Sequence, residues 1–583
     1  MKRTIAAGCC LAMALAWAMA TRSEEPTAHW NALVDEYLYK VYFPLNPTIA
    51  TLDGVHNYDS EIEDYSHAGL EAQIKKLRDF VARLEQFPAE GLRLVDAADR
   101  QILLGTIRSQ LLTLEIIRPQ EKNPDVYSSG VTASIYFLMS RKFAPADQRL
   151  RSAVAREKKI PGILALAHDN LNNPPRIYTE IAIQQLPGIV AFYEKDVPLA
   201  FADAKDPEVK AEFAKSNAEV MAALTKYEEW LKTDLLPRSN GDFRIGAENF
   251  SKKLQYEDMV DTPLHRLLEV GMGDLRKNQT ALRKVAKEID PGKTPEQVMA
   301  QLGSMHPAPD KLMETFRGTF DGLISFIQQK YIITIPSASR PIVQETPPFE
   351  RATTTASMDT PGPFETKAKE AYFNVTLPGP GDSPADVASL MGGFNIGTIV
   401  STSTHETFPG HFMQYLWTAR APTKVRKAFY ANTNSEGWAH YCEQMMLDEG
   451  YGQPGTGAQD ALEAKYIRLG QLQDALLRDA RFIVGIKMHT GKMSFEEAKE
   501  FFVKEGFQTA KIAEIESKRG TSDPTYLYYT LGKLQILKLR EDYKKKVGAA
   551  FVLGKFHDEF MSQGEPPIAV VRKAMLGDDS PVL

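Results

Sequence analysis

The sequence predicts a mainly α-helical protein with one small β-segment. Apolar residues recur at helical spacing along most of the 583 residues, as in 29–42, where Trp30, Leu33 and Tyr37 share one face. The stretch 331–386 differs, because it combines strand-like alternation with a loop rich in Pro and Thr. The composition is 43% hydrophobic and 25% charged, which supplies enough apolar material for a sizeable core.

Prolines and glycines separate the helical patterns. Pro161 falls inside the 145–170 pattern, and we expect it to kink or split that helix. Thr294-Pro295-Glu296, a capping residue followed by proline at the first turn, opens the 295–330 pattern. The segment 43–66 is expected to be a loop. The predicted helices are 29–42, 68–86, 95–118, 130–142, 145–170, 176–200, 207–235, 247–289, 295–330, 396–419, 423–449, 457–490, 494–504, 525–547 and 566–575.

The 331–386 segment is expected to form a small sheet or hairpin. Its strand-like runs are 331–335 and 371–377, the second with alternating side chains. Two interpretations stay open for it. Either an exposed strand edge binds a peptide as a further strand, or the segment is a covering loop with two short strands.

The first twenty residues have the pattern of a signal peptide. Lys2 and Arg3 precede an apolar run over 5–18, and Ala18-Met19-Ala20 is a small-residue cleavage site. Cys9 also fits a lipoprotein motif, but only about four apolar residues precede it, too few for the apolar region of a signal. We therefore expect cleavage after Ala20 and an exported protein, periplasmic or secreted.

Charge and cysteine content limit the partners. The net charge of -6, with no long basic stretch, argues against nucleic acid, and no later stretch reaches the roughly 18 apolar residues of a membrane span. Cys442 is the single cysteine expected in the mature chain, so it has no internal disulfide partner. We expect one domain over 21–583, with a helical part at 21–330, the β-segment at 331–386 and the site helices at 387–583. The oligomeric state stays open.

Two histidines and a glutamate lie within His405-Glu406-Thr407-Phe408-Pro409-Gly410-His411. A catalytic zinc usually takes three protein ligands and keeps a fourth position for water. Histidines four residues apart on a helix lie about 40° apart, whereas an unbroken helix would place His405 and His411 about 120° apart. Pro409-Gly410 lies between them, so we expect a local bulge that returns His411 to the metal.

Glu436 is the third predicted ligand. A helix over about 435–449 places Glu436, His440 and Glu443 on one polar side, opposite an apolar side with Trp438. A solvated surface would give the same pattern, but the apolar neighbours and the nearby histidine motif favour a side that faces a cleft. His440 is expected to face substrate or support a ligand, although Glu436 and His440 would also suit a metal together.

Glu406 is the predicted general base. A carboxylate beside a zinc-bound water takes its proton during attack on a carbonyl. Removing a ligand should abolish metal binding, whereas removing Glu406 should leave the metal and stop turnover. Each residue alone has an ordinary explanation, since histidines are often satisfied in cores and His-Glu pairs arise by chance. The combination is more specific.

These residues resemble the bacterial DUF885 family, whose hallmark is H-E-x-x-P-G-H followed by an E-G-W-A helix. The chain matches at His405-Glu406-x-x-Pro409-Gly410-His411 and at Glu436-Gly437-Trp438-Ala439, and Tyr529-x-x-Gly532-Lys533-Leu534 fits as well. The family is similar to gluzincin-type metallopeptidases with helical bodies and a deep cleft, such as carboxypeptidase Taq and angiotensin-converting enzyme. The resemblance implies His405, His411 and Glu436 as zinc ligands and Glu406 as the base. It implies no substrate.

Further roles follow from the same resemblance. Tyr529 would donate to the oxyanion of the tetrahedral intermediate, and His489 with Arg481 would bind a substrate carboxylate or carbonyl. The sequence departs from the family pattern there, with Gly485 in place of Asp and Lys487 in place of Gly. The structural alternatives are core packing for Tyr529, and a helix-end histidine and an ion pair for the other two.

Three hypotheses follow for the function. The first is an exported zinc-dependent peptidase that hydrolyses small peptides, as a carboxypeptidase or dipeptidase does. The second is a non-catalytic periplasmic binding or scaffold protein that keeps a metal for structure. The third is a metal-dependent hydrolase of non-peptide amides or esters.

Overall fold

The computed structural model describes residues 26–379 and 381–583, and most of these residues are helical, which confirms the mainly α class. The predicted signal peptide, residues 1–20, lies outside the described residues. Among the described helices, none is both long enough and apolar enough to cross a lipid bilayer.

The first part of the chain, up to residue 330, contains helices and connecting loops but no strand among its described residues. Two expectations for it meet the structure differently. Pro161 splits the predicted 145–170 helix in two, as expected, and stands in the first turn of the second piece. The expected loop 43–66 is wrong in part, because Pro47 begins a short helix that ends at Gly54, where φ is +87°. The helices are 26–37, Phe43–Leu45, Pro47–Asp53, His67–Gln86, Leu94–Leu112, Pro119–Lys122, Asp125–Ser140, Ala146–Glu157, Ile160–Asn170, Arg176–Ala191, Val197–Ala200, Pro207–Trp230, Leu236–Arg238, Gly246–Asp258, Leu264–Ile289, Pro295–Gly303, Leu312–Gly318 and Phe320–Lys330, with wider π-helical turns at Leu38–Tyr42, Thr113–Ile117, Phe192–Asp196 and Leu231–Leu235 and 3₁₀ turns at His56–Tyr58 and Pro309–Lys311.

A three-stranded sheet follows. Its strands are β1 (Ile342–Glu345), β2 (Ala356–Asp359) and β3 (Tyr372–Val375), in the order β1-β3-β2. β3 pairs parallel to β1 and antiparallel to β2, so β2 is an edge strand. The prediction of a strand over 371–377 is confirmed at β3.

The predicted strand over 331–335 is wrong. Tyr331 has φ +49° and ends the helix before it, and the chain then runs irregularly with Ile332 and Ile333 buried in the core. A run of β-branched residues indicates a buried segment, and here the buried segment is an irregular stretch of chain and not a strand.

The last part of the chain is helical again and carries the site. Its helices pack with the sheet around the largest apolar cluster, which contains Phe373, Phe408, Trp438 and Tyr529. The helices are Pro384–Gly393, Ile396–Glu406, His411–Thr418, Lys424–Ala428, Asn432–Asp448, Ala461–His489, Phe495–Lys504, Ala510–Ser522, Tyr528–Val547, Leu553–Met561 and Ile568–Leu576, with a 3₁₀ turn at Gly548–Ala550.

Candidate metal centre

The helix that carries His405 runs from Ile396 to Glu406. The Asn395 side chain caps its start by accepting from the backbone N–H groups of Gly397 and Thr398. The helix crosses the long helix Ala461–His489 closely, because a Cβ at Gly397 would lie 2.8 Å from the Cα of Gly470. This crossing places His405 beside the polar residues of the long helix.

The predicted break between the two histidines is present. The helix ends at Glu406, the Phe408–Pro409 peptide bond is cis, and a new helix begins at His411. A Cβ at Gly410 would lie 1.8 Å from the carbonyl oxygen of His405, so this position requires glycine. The two imidazole rings thereby come within 4.8 Å of each other, at 90°.

Glu436 lies in the helix Asn432–Asp448, which crosses the helix Tyr528–Val547 at small residues. A Cβ at Gly437 would lie 2.5 Å from the Cα of Gly532. This close approach brings Tyr529, one turn before Gly532, to the carboxylate of Glu436. The Tyr529 hydroxyl donates to Glu436 Oε1 over 3.0 Å.

The three predicted ligands converge. Glu436 Oε2 lies 3.2 Å from His405 Nε2 and 3.1 Å from His411 Nε2, and one donor atom from each residue lies within 4.8 Å of the others. Two zinc ligands at about 2.0–2.1 Å in tetrahedral geometry are about 3.3 Å apart. The spacing and the two-nitrogen, one-oxygen donor set therefore fit zinc.

A buried carboxylate orients His405. Glu443 Oε1 accepts from His405 Nδ1 over 2.7 Å, which leaves Nε2 directed toward Glu436. Glu443 in turn binds His440 Nδ1 at 3.1 Å and Arg478 Nη2 at 3.3 Å. Burial opposes ionisation of Glu443, but the charge of Arg478 and the hydrogen bonds from His405 and His440 hold its pKa well below its usual value.

His440 has a different place from the predicted substrate-facing one. It is fully buried behind Glu443, and burial lowers its pKa to about 4, so the ring is neutral. Its contact with Glu443, which binds His405, is consistent with the other predicted role, support of a ligand.

Glu406 faces an open cavity of about 600 Å³ beside the three ligands. Its Oε2 is buried and has no hydrogen-bond partner among the described residues. An unpaired buried carboxylate oxygen is costly unless something fills the space next to it. Water or substrate in the cavity would supply that partner.

The two remaining predicted residues are less close to the ligands. His489 ends the long helix, where it contacts the Gly520 carbonyl at 2.8 Å and does not line the cavity. Arg481 faces Tyr529 but binds Glu516 through two hydrogen bonds of 2.6 and 2.7 Å. It matches its structural alternative, an ion pair.

Two arginines near the site were missed from the sequence. Arg478 contacts Glu443, and Arg519 donates to the Tyr529 hydroxyl over 2.8 Å. One signal was present for the first, because Asp474, Arg478 and Arg481 follow one another at intervals of four and three residues and so share one face of their helix.

Known proteins show the same fold. A solved structure from Shewanella oneidensis, described as "a putative lipoprotein of unknown function", is 26% identical with a TM-score of 0.74, over 94% of this chain and 98% of that chain. A second from Colwellia psychrerythraea, described as a "putative lipoprotein", is 17% identical with a TM-score of 0.77 over the same shares of the chains. No curated protein matches the chain.

The family model for DUF885, described as a bacterial protein of unknown function, matches residues 47–575, and with this match over most of the 583 residues the chain belongs to the DUF885 family.

Proposed function

We propose that the protein is a zinc-dependent peptidase that hydrolyses small peptides, of the carboxypeptidase or dipeptidase type. The observation that carries the proposal is the combination of three convergent ligands with an unpaired Glu406 carboxylate at the wall of one cavity. A structural zinc site has four protein ligands and needs neither an adjacent base nor an open side.

Zinc held by His405, His411 and Glu436 supplies Lewis acidity for the attack of water on a carbonyl. Glu406 accepts the proton of the attacking water and delivers it to the nitrogen of the leaving amine as the C–N bond breaks. Glu443 keeps the Nε2 of His405 available as a ligand by holding its Nδ1.

Tyr529 is placed to steady the negative charge that develops on the carbonyl oxygen. Burial holds its pKa above the usual value, so the hydroxyl stays protonated. In the absence of substrate the hydroxyl donates to Glu436 Oε1, and a substrate oxygen at the metal would compete for the same donor.

The sheet supports a peptide substrate. The edge strand β2 (Ala356–Asp359) lines the cavity beside His405 and Glu406. An extended peptide paired with this edge would run past the metal ligands, which is the first of the two interpretations of the β-segment. The size of the cavity suits a few residues and excludes a folded chain.

Substituting Glu406 by Gln tests the proposal. The isosteric amide cannot take a proton, so we expect zinc content within error of wild type and a loss of peptide hydrolysis of at least 10²-fold. Glu449→Gln, an exposed change at the end of the Glu436 helix, is the matched control. Unchanged hydrolysis of a mixed peptide pool by Glu406→Gln would refute the assignment, and hydrolysis of esters or non-peptide amides alone would favour the third hypothesis.

We also infer that the protein is exported. The signal pattern over residues 1–20 and the lipoprotein descriptions of the two solved structures support this inference. The intact mass of the mature protein decides the form. Cleavage after Ala20 gives a chain that begins at Thr21, a lipidated chain that begins at Cys9 would replace that expectation, and an uncleaved chain would contradict export by this signal.

A further inference from the structure

A small side pocket of about 70 Å³ adjoins the cavity. His405, Glu406, Arg519 and Tyr529 line both spaces, so the pocket opens beside the proposed base. A water molecule occupies about 30 Å³ in the liquid, so the pocket has room for about two waters or for one carboxylate group. It is too small for a continuing peptide chain.

Three arginines surround this pocket. The guanidinium carbons of Arg481, Arg519 and Arg478 lie 4.5, 5.6 and 5.9 Å from the ring centre of Tyr529. Arg481 is neutralised by its two hydrogen bonds to the carboxylate of Glu516. The other two are the positive groups with hydrogen-bonding capacity left.

Arg478 is buried, yet its contacts are weak. Its ion pairs with Asp474 and Glu443 are both 3.3 Å long, and its Nε has no hydrogen-bond partner among the described residues. A buried guanidinium N–H without an acceptor is costly, whereas a carboxylate that accepts from it forms a strong charge-assisted hydrogen bond.

Arg519 is only partly buried and reaches both spaces. Its Nη2 donates to the Tyr529 hydroxyl over 2.8 Å, while its contacts to Asp523 are 3.3 and 3.4 Å long. Its guanidinium can therefore turn toward an anion in the pocket without losing a short ion pair.

The place of the pocket beside Glu406 favours one direction of the peptide. Glu406 delivers a proton to the leaving amine, so the leaving part of the substrate lies on the Glu406 side of the metal. A group in the side pocket then belongs to the residue that follows the scissile bond.

We propose that the side pocket binds a carboxylate of the residue that follows the scissile bond, and that Arg478 and Arg519 are its ligands. This inference rests on the proposed function and makes the protein an exopeptidase that acts at the carboxyl end. The carboxylate has two sources, the C-terminus of the peptide or an acidic side chain at that position, and the size of the pocket favours the C-terminus.

Pools of acetylated tripeptides, prepared as free acids and as C-terminal amides, test the proposal with the zinc-loaded full chain. We expect wild type to hydrolyse the free acids about 10- to 100-fold more efficiently, through a lower KM. Arg519→Met should reduce this ratio below about threefold, and Arg519→Lys should recover part of it. Arg468→Met is the matched control, because it removes an arginine paired with an aspartate outside the cavity.

A second pair of amidated pools, with Glu or Gln as the last residue, separates the two sources. Preference for the Glu amides would support the pocket and assign it to an acidic side chain. Equal rates for free acids and amides of every pool, or an Arg519→Met loss that is equal for both, would overturn the proposal.

Calorimetric binding of the same pools to zinc-loaded Glu406→Gln separates this inference from the proposed function. Arg519-dependent preference for free acids, without hydrolysis by wild type, would leave the pocket standing and remove the peptidase. Hydrolysis by wild type without any preference in rate or binding would keep the peptidase and remove the pocket.

Discussion

Two buried arginines show how differently the two halves of the molecule use charge. Arg156, in the N-terminal half, is fully buried, and each of its three guanidinium nitrogens donates to a neutral oxygen. The acceptors are the carbonyls of Pro47, Tyr58, Glu61 and Ser134 and the hydroxyl of Thr51. Arg478, in the site-bearing half, is also buried, but its Nε lacks a protein partner within the described residues and its ion pairs are long.

Arg156 stabilises the fold through its hydrogen bonds, whereas Arg478 keeps a donor that a ligand could use. Arg156 ties the helix Ala146–Glu157 to the helix Pro47–Asp53, and Asp53 at the end of the latter lines the cavity. Each of its guanidinium nitrogens is already bound within the fold. The donors of Arg478 and the free oxygen of Glu406 are not used up, and both lie at the walls of the site.

The largest expected effect on stability comes from Arg156→Met. The change leaves several carbonyls without donors in the core, so the free energy of unfolding should fall by about 3 to 5 kcal/mol. Zinc bound per folded chain should not change. Denaturant unfolding measures the first quantity and metal analysis the second.

Arg151→Met, on the same helix, is the control for that measurement. Arg151 is exposed and pairs with Asp206 at the surface, where an ion pair contributes about 0–1 kcal/mol. If Arg156→Met were as stable as Arg151→Met, the buried hydrogen bonds of Arg156 would not stabilise the fold, and the contrast between the two arginines would be wrong.

Glu443→Gln should show the reverse of the Arg156→Met pattern, with an effect on zinc affinity and little effect on the N-terminal half. The neutral amide weakens the hold on His405 Nδ1, so zinc affinity should fall about 10- to 100-fold. The unfolding of the N-terminal half should be little affected. Competition with a chelator measures the affinity, with Glu449→Gln at the cap of the same helix as the control. Equal affinities would show that Glu443 does not support metal binding.

The sequence predicted the three candidate ligands of the site but not the two arginines beside them. The meeting of His405 and His411 depends on a local break, and Pro409-Gly410 encodes it in adjacent residues. Arg478 and Arg519 come from two other helices, and their distance to the proposed metal ligands depends on how those helices pack. Local patterns do not carry that information.

His489 failed to join the site for a geometric reason. It lies eleven residues after Arg478 on the same helix, which is about 16 Å at 1.5 Å per residue. Sequence resemblance placed it near the proposed metal site, but the helix carries it to the Gly520 carbonyl. The strand expected at 331–335 failed because burial alone does not specify a strand.

The last expected effect concerns Glu157, a buried carboxyl that forms no ion pair within the described residues. Burial raises its pKa to about 8, above the usual 4.5. The folded state therefore binds this proton more tightly than the unfolded state, and its contribution to stability is full below about pH 4.5 and is lost as pH rises toward 8.

Glu157→Gln removes that loss. We expect the variant to match wild type at pH 4.5 and to exceed its free energy of unfolding increasingly as the pH rises toward 8, by at most about 1.4 kcal/mol for each pH unit. Glu212→Gln, an exposed surface change, should show no such trend. A constant difference in the free energy of unfolding across the pH range would show that Glu157 is ionised in the folded state, which would contradict this prediction.

The central claim is that His405, His411 and Glu436 hold one metal ion and leave one side open. X-ray absorption and metal analysis of the zinc-loaded chain test it most directly. We predict one zinc per chain with nitrogen and oxygen ligands near 2.0–2.2 Å and no sulfur, and at least a 10³-fold loss of affinity in His411→Ala. Zinc bound equally tightly by His411→Ala, or ligated by the sulfur of Cys442, would contradict the account.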